Sequence, residues 1–323
     1  MSWEFFQQIK CVAVYINSSC TELSSFCTEL SSFKSIKNLG FMSSSYCFCT
    51  LSVGKRYRDH ARELAKDIQK YAPGVPFVIL TDKPDDFSGF PSVLAFKHRL
   101  QSVKGYHDKR LVLEKSLSLF DSCMFMDADM RILSRVPDNL SWNPGLTARA
   151  GCALVKHLDE RNNKRNSELV KKIAERIGVD IENVQWLHEF WFVLRRQSGK
   201  EVEFFRVWQT LSYLFESEGM YDGEGYSMGL AASKVGLDFD FYRTDWFEFF
   251  KDKIEKERIN NGQSKLTEKK IYFEEHTAIE YPQSNILSKA ISKIGNKLAF
   301  YYRLLRLRRQ REQDEEFKSI FQK

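Results

Sequence analysis

The sequence predicts a doubly wound α/β fold. Three observations predict it: a strand–helix–strand start over residues 46–80, an apolar run that stops abruptly at Asp127-Ala128-Asp129, and Gly or Pro at several of the breaks between periodic segments. Strand, helix, strand over this length is a βαβ unit, which implies parallel pairing and a right-handed crossover.

The elements follow in order. Tyr46 to Val53 reads as the first strand, broken by Gly54. Ala61, Leu64, Ala65, Ile68 and Tyr71 form one apolar stripe at helical spacing, ended by Pro73-Gly74. Val75 to Leu80 is a second strand, closing on Thr81-Asp82, and Val93 to Phe96 a shorter third. A helix over 108–120, with Leu113, Leu117 and Phe120 on one face, leads to the strand Met124-Phe125-Met126. In the second half, Leu169, Val170, Ile173, Ala174 and Ile177 mark a helix stopped by Gly178, and aromatic-rich Trp186 to Leu194 reads as a strand. Phe204, Val207, Trp208, Leu211 and Phe215 mark another helix. The acidic, glycine-rich Tyr221 to Ala231 predicts a turn whose backbone lets a ligand come close. Residues 251–270 are charge-rich and predict a solvated helix and loop.

Bulk properties bound the function. At 323 residues, with 43% hydrophobic and 28% charged, the chain has the composition of a globular protein long enough for a large core. The net charge of +6 is too weak to indicate nucleic-acid binding. None of the seven cysteines forms a C-x-x-C pair, which excludes zinc-ribbon and thioredoxin readings and leaves reduced thiols in a cytosol-like compartment as the expectation. No segment approaches the apolar length of a membrane span, and Cys11 to Ile16 is too short for a signal core. Residues 1–41 carry one perfect heptad repeat, Cys20 to Phe26 and Cys27 to Phe33, too short for a solenoid. They read as a disordered or spurious leader, with Met42 a candidate start.

The carboxylates carry the chemistry. Burying Asp127 and Asp129 inside a sheet is costly, so they belong at the strand's carboxyl end, where open α/β sheets place ligands. Positions i and i+2 of an extended chain point the same way, and two such carboxylates can hold a divalent cation that in turn suits a diphosphate. The bland reading is a turn cap.

With Lys109 through Leu133, the strand at 46–53 and Phe77 to Asp82, this layout resembles the GT-A class of nucleotide-sugar glycosyltransferases. The resemblance implies a Rossmann-like mixed sheet flanked by helices, with a C-terminal helical extension. Residues 42–285 would be the catalytic domain, 42–135 its nucleotide-binding half and 136–285 its acceptor half. It implies metal-dependent transfer of a sugar from a nucleotide-diphosphate-sugar, UDP-sugar by default, to a glycan or lipid-linked acceptor. Asp127 and Asp129 would hold Mn²⁺ or Mg²⁺, Asp127 also facing the ribose. Thr50, Leu51 and Ser52 would border the nucleotide, Tyr57 and Lys109 would sit near base, ribose or phosphates, and His276 would be a third metal ligand. Inverting chemistry also needs a carboxylate base, for which Glu224, Asp222 and Glu189 are candidates, Glu224 preferred over Asp222.

The rivals are a haloacid-dehalogenase-like phosphohydrolase with Asp127 as nucleophile and a GT-A-like binding module without catalysis. Met130-Arg131 and the two preceding strand–helix units depart from the first pattern. A sugar-nucleotide-forming nucleotidyltransferase would want more than the one glycine of Ser52 to Arg56.

Beyond 286, Leu287, Ile291, Ile294, Leu298, Tyr301 and Leu305 recur every three or four residues among Lys and Arg, with no acid before Glu312. This basic amphipathic stretch, 286–323, suits an anionic membrane surface through 286–311, a place on the catalytic domain, or a partner. The expected location is cytoplasmic, with that peripheral membrane contact where the first option holds.

Overall fold

Side-chain alternation along the first strand, β1 (Tyr46–Ser52), divides the molecule. Cys47 and Cys49 face one core, Phe48 the other. The computed structural model describes residues 45–161, 163–242, 244–282 and 286–313. The leader 1–41 and Met42 lie outside the described residues.

β2 (Phe77–Thr81), β3 (Val93–Lys97) and β4 (Ser122–Met126) join β1 in parallel. β6 (Gly145–Ala148), β9 (Trp191–Arg195) and β10 (Phe239–Phe241) complete a seven-stranded sheet of order β10-β6-β9-β4-β1-β2-β3. β9 runs antiparallel to both neighbours, β4 and β6, so the sheet is mixed. The α/β fold class read from the sequence is therefore the one observed.

One face carries α1 (Lys55–Tyr71), whose Ala61, Leu64, Ala65 and Ile68 meet Phe48, Ile79 and Met124. The other carries α2 (Lys109–Leu119), α5 (Lys200–Ser217) and α6 (Glu224–Val235) over Cys49, Val78, Phe125 and Phe192. Before α5 come α3 (Leu154–Arg161) and α4 (Lys164–Arg176).

Two expectations are corrected. The run Trp186 to Leu194 is two strands in different sheets: β8 (Gln185–Leu187) pairs with β7 (Gly151–Ala153), while β9 enters the main sheet. The break falls at His188-Glu189-Phe190. The glycines after Asp222 serve packing: a Cβ at Gly225 would lie 2.9 Å from the Leu187 carbonyl oxygen, and one at Gly229 2.1 Å from that of Gln185, so α6 lies directly on β8. Residues 251–270 are the solvated helix and loop expected, exposed or half-buried apart from Glu255. They contain α7 (Asp252–Asn260) and the start of α8 (Leu266–Glu280), and Glu255 is buried.

The last helix, α9 (Ile286–Gln313), packs on the body through Leu307 and through Arg303, whose Nε donates to the Val103 carbonyl at 2.8 Å. Ile294, Leu298, Tyr301 and Leu305 stay exposed. Among the described residues no helix is long and apolar enough to cross a membrane.

Gly229→Ala drives a methyl into backbone that cannot yield. The expected cost is about 1–3 kcal/mol by urea denaturation, as for overpacked cores.

Candidate active site

Asp127 continues the ladder of β4 for one more bond, its N–H donating to the Phe190 carbonyl at 2.9 Å. The chain then turns, with Met130 N–H on the Asp127 carbonyl at 3.0 Å, the hydrogen bond of a β-turn. Asp127 and Asp129 are therefore brought together by a turn, not by the pleat of an extended strand as expected.

After the turn, β5 (Arg131–Ile132) pairs antiparallel with β11 (Phe249–Phe250). Arg131 anchors this ladder through Asp67, at 2.6 and 3.0 Å, and the Ile132 N–H also donates to Asp67. The ladder delivers Lys251 to the carboxylates. Its Nζ lies 3.0 Å from Asp127 Oδ2 and 2.6 Å from Asp129 Oδ1.

A second ammonium comes from the other face. Lys109 opens α2, a position where the helix dipole disfavours a cation, and it is buried. Carboxylates must therefore compensate it. Its Nζ sits 3.1 Å from Asp127 Oδ1 and 3.1 Å from Glu224 Oε1, and donates to the Glu189 carbonyl at 3.0 Å. Glu224 opens α6, where the dipole favours an acid. Asp108, just before Lys109, fixes the entry to α2 by accepting from Gln101 N–H, Ser102 N–H and His98.

The charges follow from this geometry. Burial alone would raise the Asp127 carboxyl, but Lys109 and then Lys251 outweigh it and hold it at about 2. Burial alone would likewise depress both lysines; Asp127 with Glu224 raises Lys109 above the ordinary lysine value, and Asp127 with Asp129 raises Lys251. Glu189 goes the other way, pushed to about 8 by burial and by the neighbouring Glu224.

The cluster floors a cleft of about 460 Å³. Of the residues singled out from sequence, Leu51, Tyr57, Lys109, Asp127, Asp129, Glu189 and Glu224 line it. Thr50 and Ser52 do not. They share the opposite face of β1 from Leu51 and are fully enclosed, with no hydrogen-bond partner for either hydroxyl among the described residues. Asp222 is exposed and outside the cleft lining. His276 is outside it too, on α8, its ring centroid 5.0 Å from that of His60.

Sequence reasoning missed Lys251, which lies in a charge-rich run. The one local signal is the aromatic Phe249-Phe250 before it, an apolar pair that must be buried and so carries the next residue inward. It also missed Tyr106, an exposed ring on the cleft wall.

Two carboxylate oxygens, Asp127 Oδ2 and Asp129 Oδ1, meet at one cationic atom. That donor set suits a hard divalent cation, so the residues fit Mn²⁺ or Mg²⁺ in exchange for the Lys251 ammonium.

No family model and no curated protein sequence matches the chain. Among solved structures, it is similar to the galactosyltransferase LgtC in complex with donor and acceptor sugar analogues, at 12% identity and a TM-score of 0.40, over 60% of this chain and 72% of that one. An active-site mutant of LgtC aligns at 11% identity and a TM-score of 0.40, over 60% and 71%. Likeness at that level bears no weight for activity.

Glu189 yields a pH prediction. The folded state holds its proton more tightly than the unfolded chain, so its stabilisation is complete below the ordinary value of 4.5 and is lost as pH rises through about 8. Urea denaturation should show wild type losing on the order of 5 kcal/mol more than Glu189→Gln across that window. Parallel profiles for the two proteins would refute the assignment.

Proposed function

We propose that the cleft binds a nucleotide-diphosphate-sugar and transfers its sugar to a glycan or lipid-linked acceptor. The observation that carries this reading is the Asp127–Asp129 turn at the carboxyl end of a parallel strand, with two buried lysines converging on it. The carboxyl edge of a parallel sheet is where such folds bind nucleotides.

The chain's residues divide the work. Tyr57 and Tyr106, exposed on the cleft wall, offer rings for a base or sugar to stack on. Bond breaking between sugar and phosphate leaves negative charge on the nucleoside diphosphate, and groups that meet that charge accelerate transfer. Lys251, released from the carboxylate pair, is such a group. A Mn²⁺ or Mg²⁺ ion held by Asp127 and Asp129 would supply further neutralisation of the diphosphate. Lys109 remains with Asp127 and Glu224 and keeps both oriented.

Of the three candidate bases, Glu189 is the best placed for proton transfer. It lines the cleft, and a carboxyl that ionises near 8 has proton affinity close to the working pH. Glu224, preferred on sequence, is committed to Lys109 as a positioning group. The phosphohydrolase alternative is less well supported: Asp127 has an ammonium on each oxygen, which blunts a nucleophile, and its strand borders an antiparallel one.

The proposed division of the chain keeps 42–135 as the nucleotide half and 136–285 as the acceptor half. The exposed row Ile294, Leu298, Tyr301 and Leu305 on α9, flanked by Lys293 and Lys297, would rest on an anionic membrane and bring the cleft to a lipid-linked acceptor.

Two experiments test these readings. In a panel of UDP-, GDP- and CMP-sugars with Mn²⁺, Mg²⁺ or EDTA, one donor should be hydrolysed in a metal-dependent way, and Asp129→Ala should lose at least about a hundredfold. Release of phosphate from simple monoesters, with no turnover of any donor, would remove the transferase. For the membrane contact, wild type should sediment with phosphatidylserine vesicles and Leu298→Glu should not; equal sedimentation of the two would remove it.

A further inference from the structure

Outside the cleft, α1 and α8 bring three metal-ligating side chains together: His60, His276 and Glu280, whose ligand atoms all lie within 4.8 Å of one another. None of the three lines the cleft, and neither Asp127 nor Asp129 belongs to the group. His276 and Glu280 are spaced i, i+4, so one face of α8 presents both, and α1 supplies His60 from the opposite side.

The arrangement has the parts of a ligand sphere. His60 Nε2 lies 2.9 Å from Glu280 Oε1. The other oxygen of Glu280 is held by Arg56 at 3.1 Å, which fixes the carboxylate and leaves Oε1 to face the imidazoles. Asp252 Oδ1 lies 4.0 Å from His276 Nδ1, a carboxylate beside the ring but beyond hydrogen-bond reach. The His60 side chain is 4% exposed while those of His276 and Glu280 are 15% and 20%, so the cluster is enclosed on one side and open to entry on the other.

We propose that His60, His276 and Glu280 form a second metal site, with ligands separate from those of the aspartate pair, that takes zinc or a similar late first-row divalent ion. Two imidazoles and one carboxylate are a zinc donor set, and affinity for nitrogen ligands rises toward the end of the first row. Mn²⁺ and Mg²⁺, which prefer oxygen, suit the aspartate pair. The two sites thus differ in ligand softness as well as in place.

The role is a clamp between α1 and α8. A metal there ties both ends of the 251–280 segment into the body, since Lys251 already bonds the aspartates at its start. The ion would hold the segment that positions Lys251, and binding energy of this kind appears as folding stability.

The test uses the full chain, stripped with EDTA and titrated with Zn²⁺ in a calorimeter, and with Co²⁺ followed by visible absorption. Wild type should bind one equivalent of Zn²⁺, give the intense visible bands of a tetrahedral Co²⁺ site, and gain in Tm. His276→Ala and Glu280→Gln, each first shown by circular dichroism to be folded, should bind Zn²⁺ at least about a hundredfold more weakly and lose the Co²⁺ bands. The Asp127→Asn, Asp129→Asn double variant, likewise first shown to be folded, should keep both. Zinc affinity unchanged in His276→Ala and Glu280→Gln, or Co²⁺ bands abolished by the aspartate double variant, would overturn the second site.

Discussion

Two buried ammoniums facing a cluster of carboxylates hold this structure's centre. Lys109 and Lys251 have little water to solvate them, and Asp127 is shared between them. Losing one partner of a buried ion pair costs about 3–5 kcal/mol, because the charge left behind has nowhere to go. Each element that supplies a charge is therefore tied to the others: β4 and its turn, the first turn of α2, the first turn of α6, and the β5–β11 ladder. The sheet makes the edge, and the charges decide what stands along it.

The same cluster makes chemical sense as an anion site that a divalent cation would complete. Lys109 and Lys251 stand against the carboxylates of Asp127, Asp129 and Glu224, so a nucleoside diphosphate would meet an excess of positive charge there once that cation joins the aspartates. Such preorganisation gives electrostatic catalysis its size, because the groups need not rearrange as charge develops. The Lys251 contact adds an exchange: an ammonium now neutralises the pair that a divalent cation would hold, and it becomes free for the phosphates when that cation binds.

Much of this was legible in the chain, for reasons that differ by residue. Asp127 and Asp129 stood out because two acids after Met124-Phe125-Met126 cannot remain in a buried strand. Lys109 was found through the resemblance, and Glu224 because it stands in a glycine-rich stretch rather than a charge run. Lys251 was hidden because its position depends on a two-residue ladder, Phe249-Phe250 against Arg131-Ile132, that joins segments more than a hundred residues apart. The break at Glu189 was hidden by continuous aromatic character from Trp186 to Leu194, which looks alike whether one strand is buried or two strands serve separate sheets. Thr50 and Ser52 lost their place to period-two alternation, which turns Leu51 alone toward the cleft.

The central claim is that the diphosphate of a nucleotide donor lies against the Asp127–Asp129 turn. Phosphorus NMR of bound UDP or GDP, with a trace of Mn²⁺ in place of Mg²⁺, tests it most directly. The account predicts strong paramagnetic broadening of both phosphorus signals in wild type, abolished by Asp129→Asn. If neither nucleotide binds, or if the broadening is the same in the Asp129→Asn protein, the diphosphate is not held at this turn and the account fails.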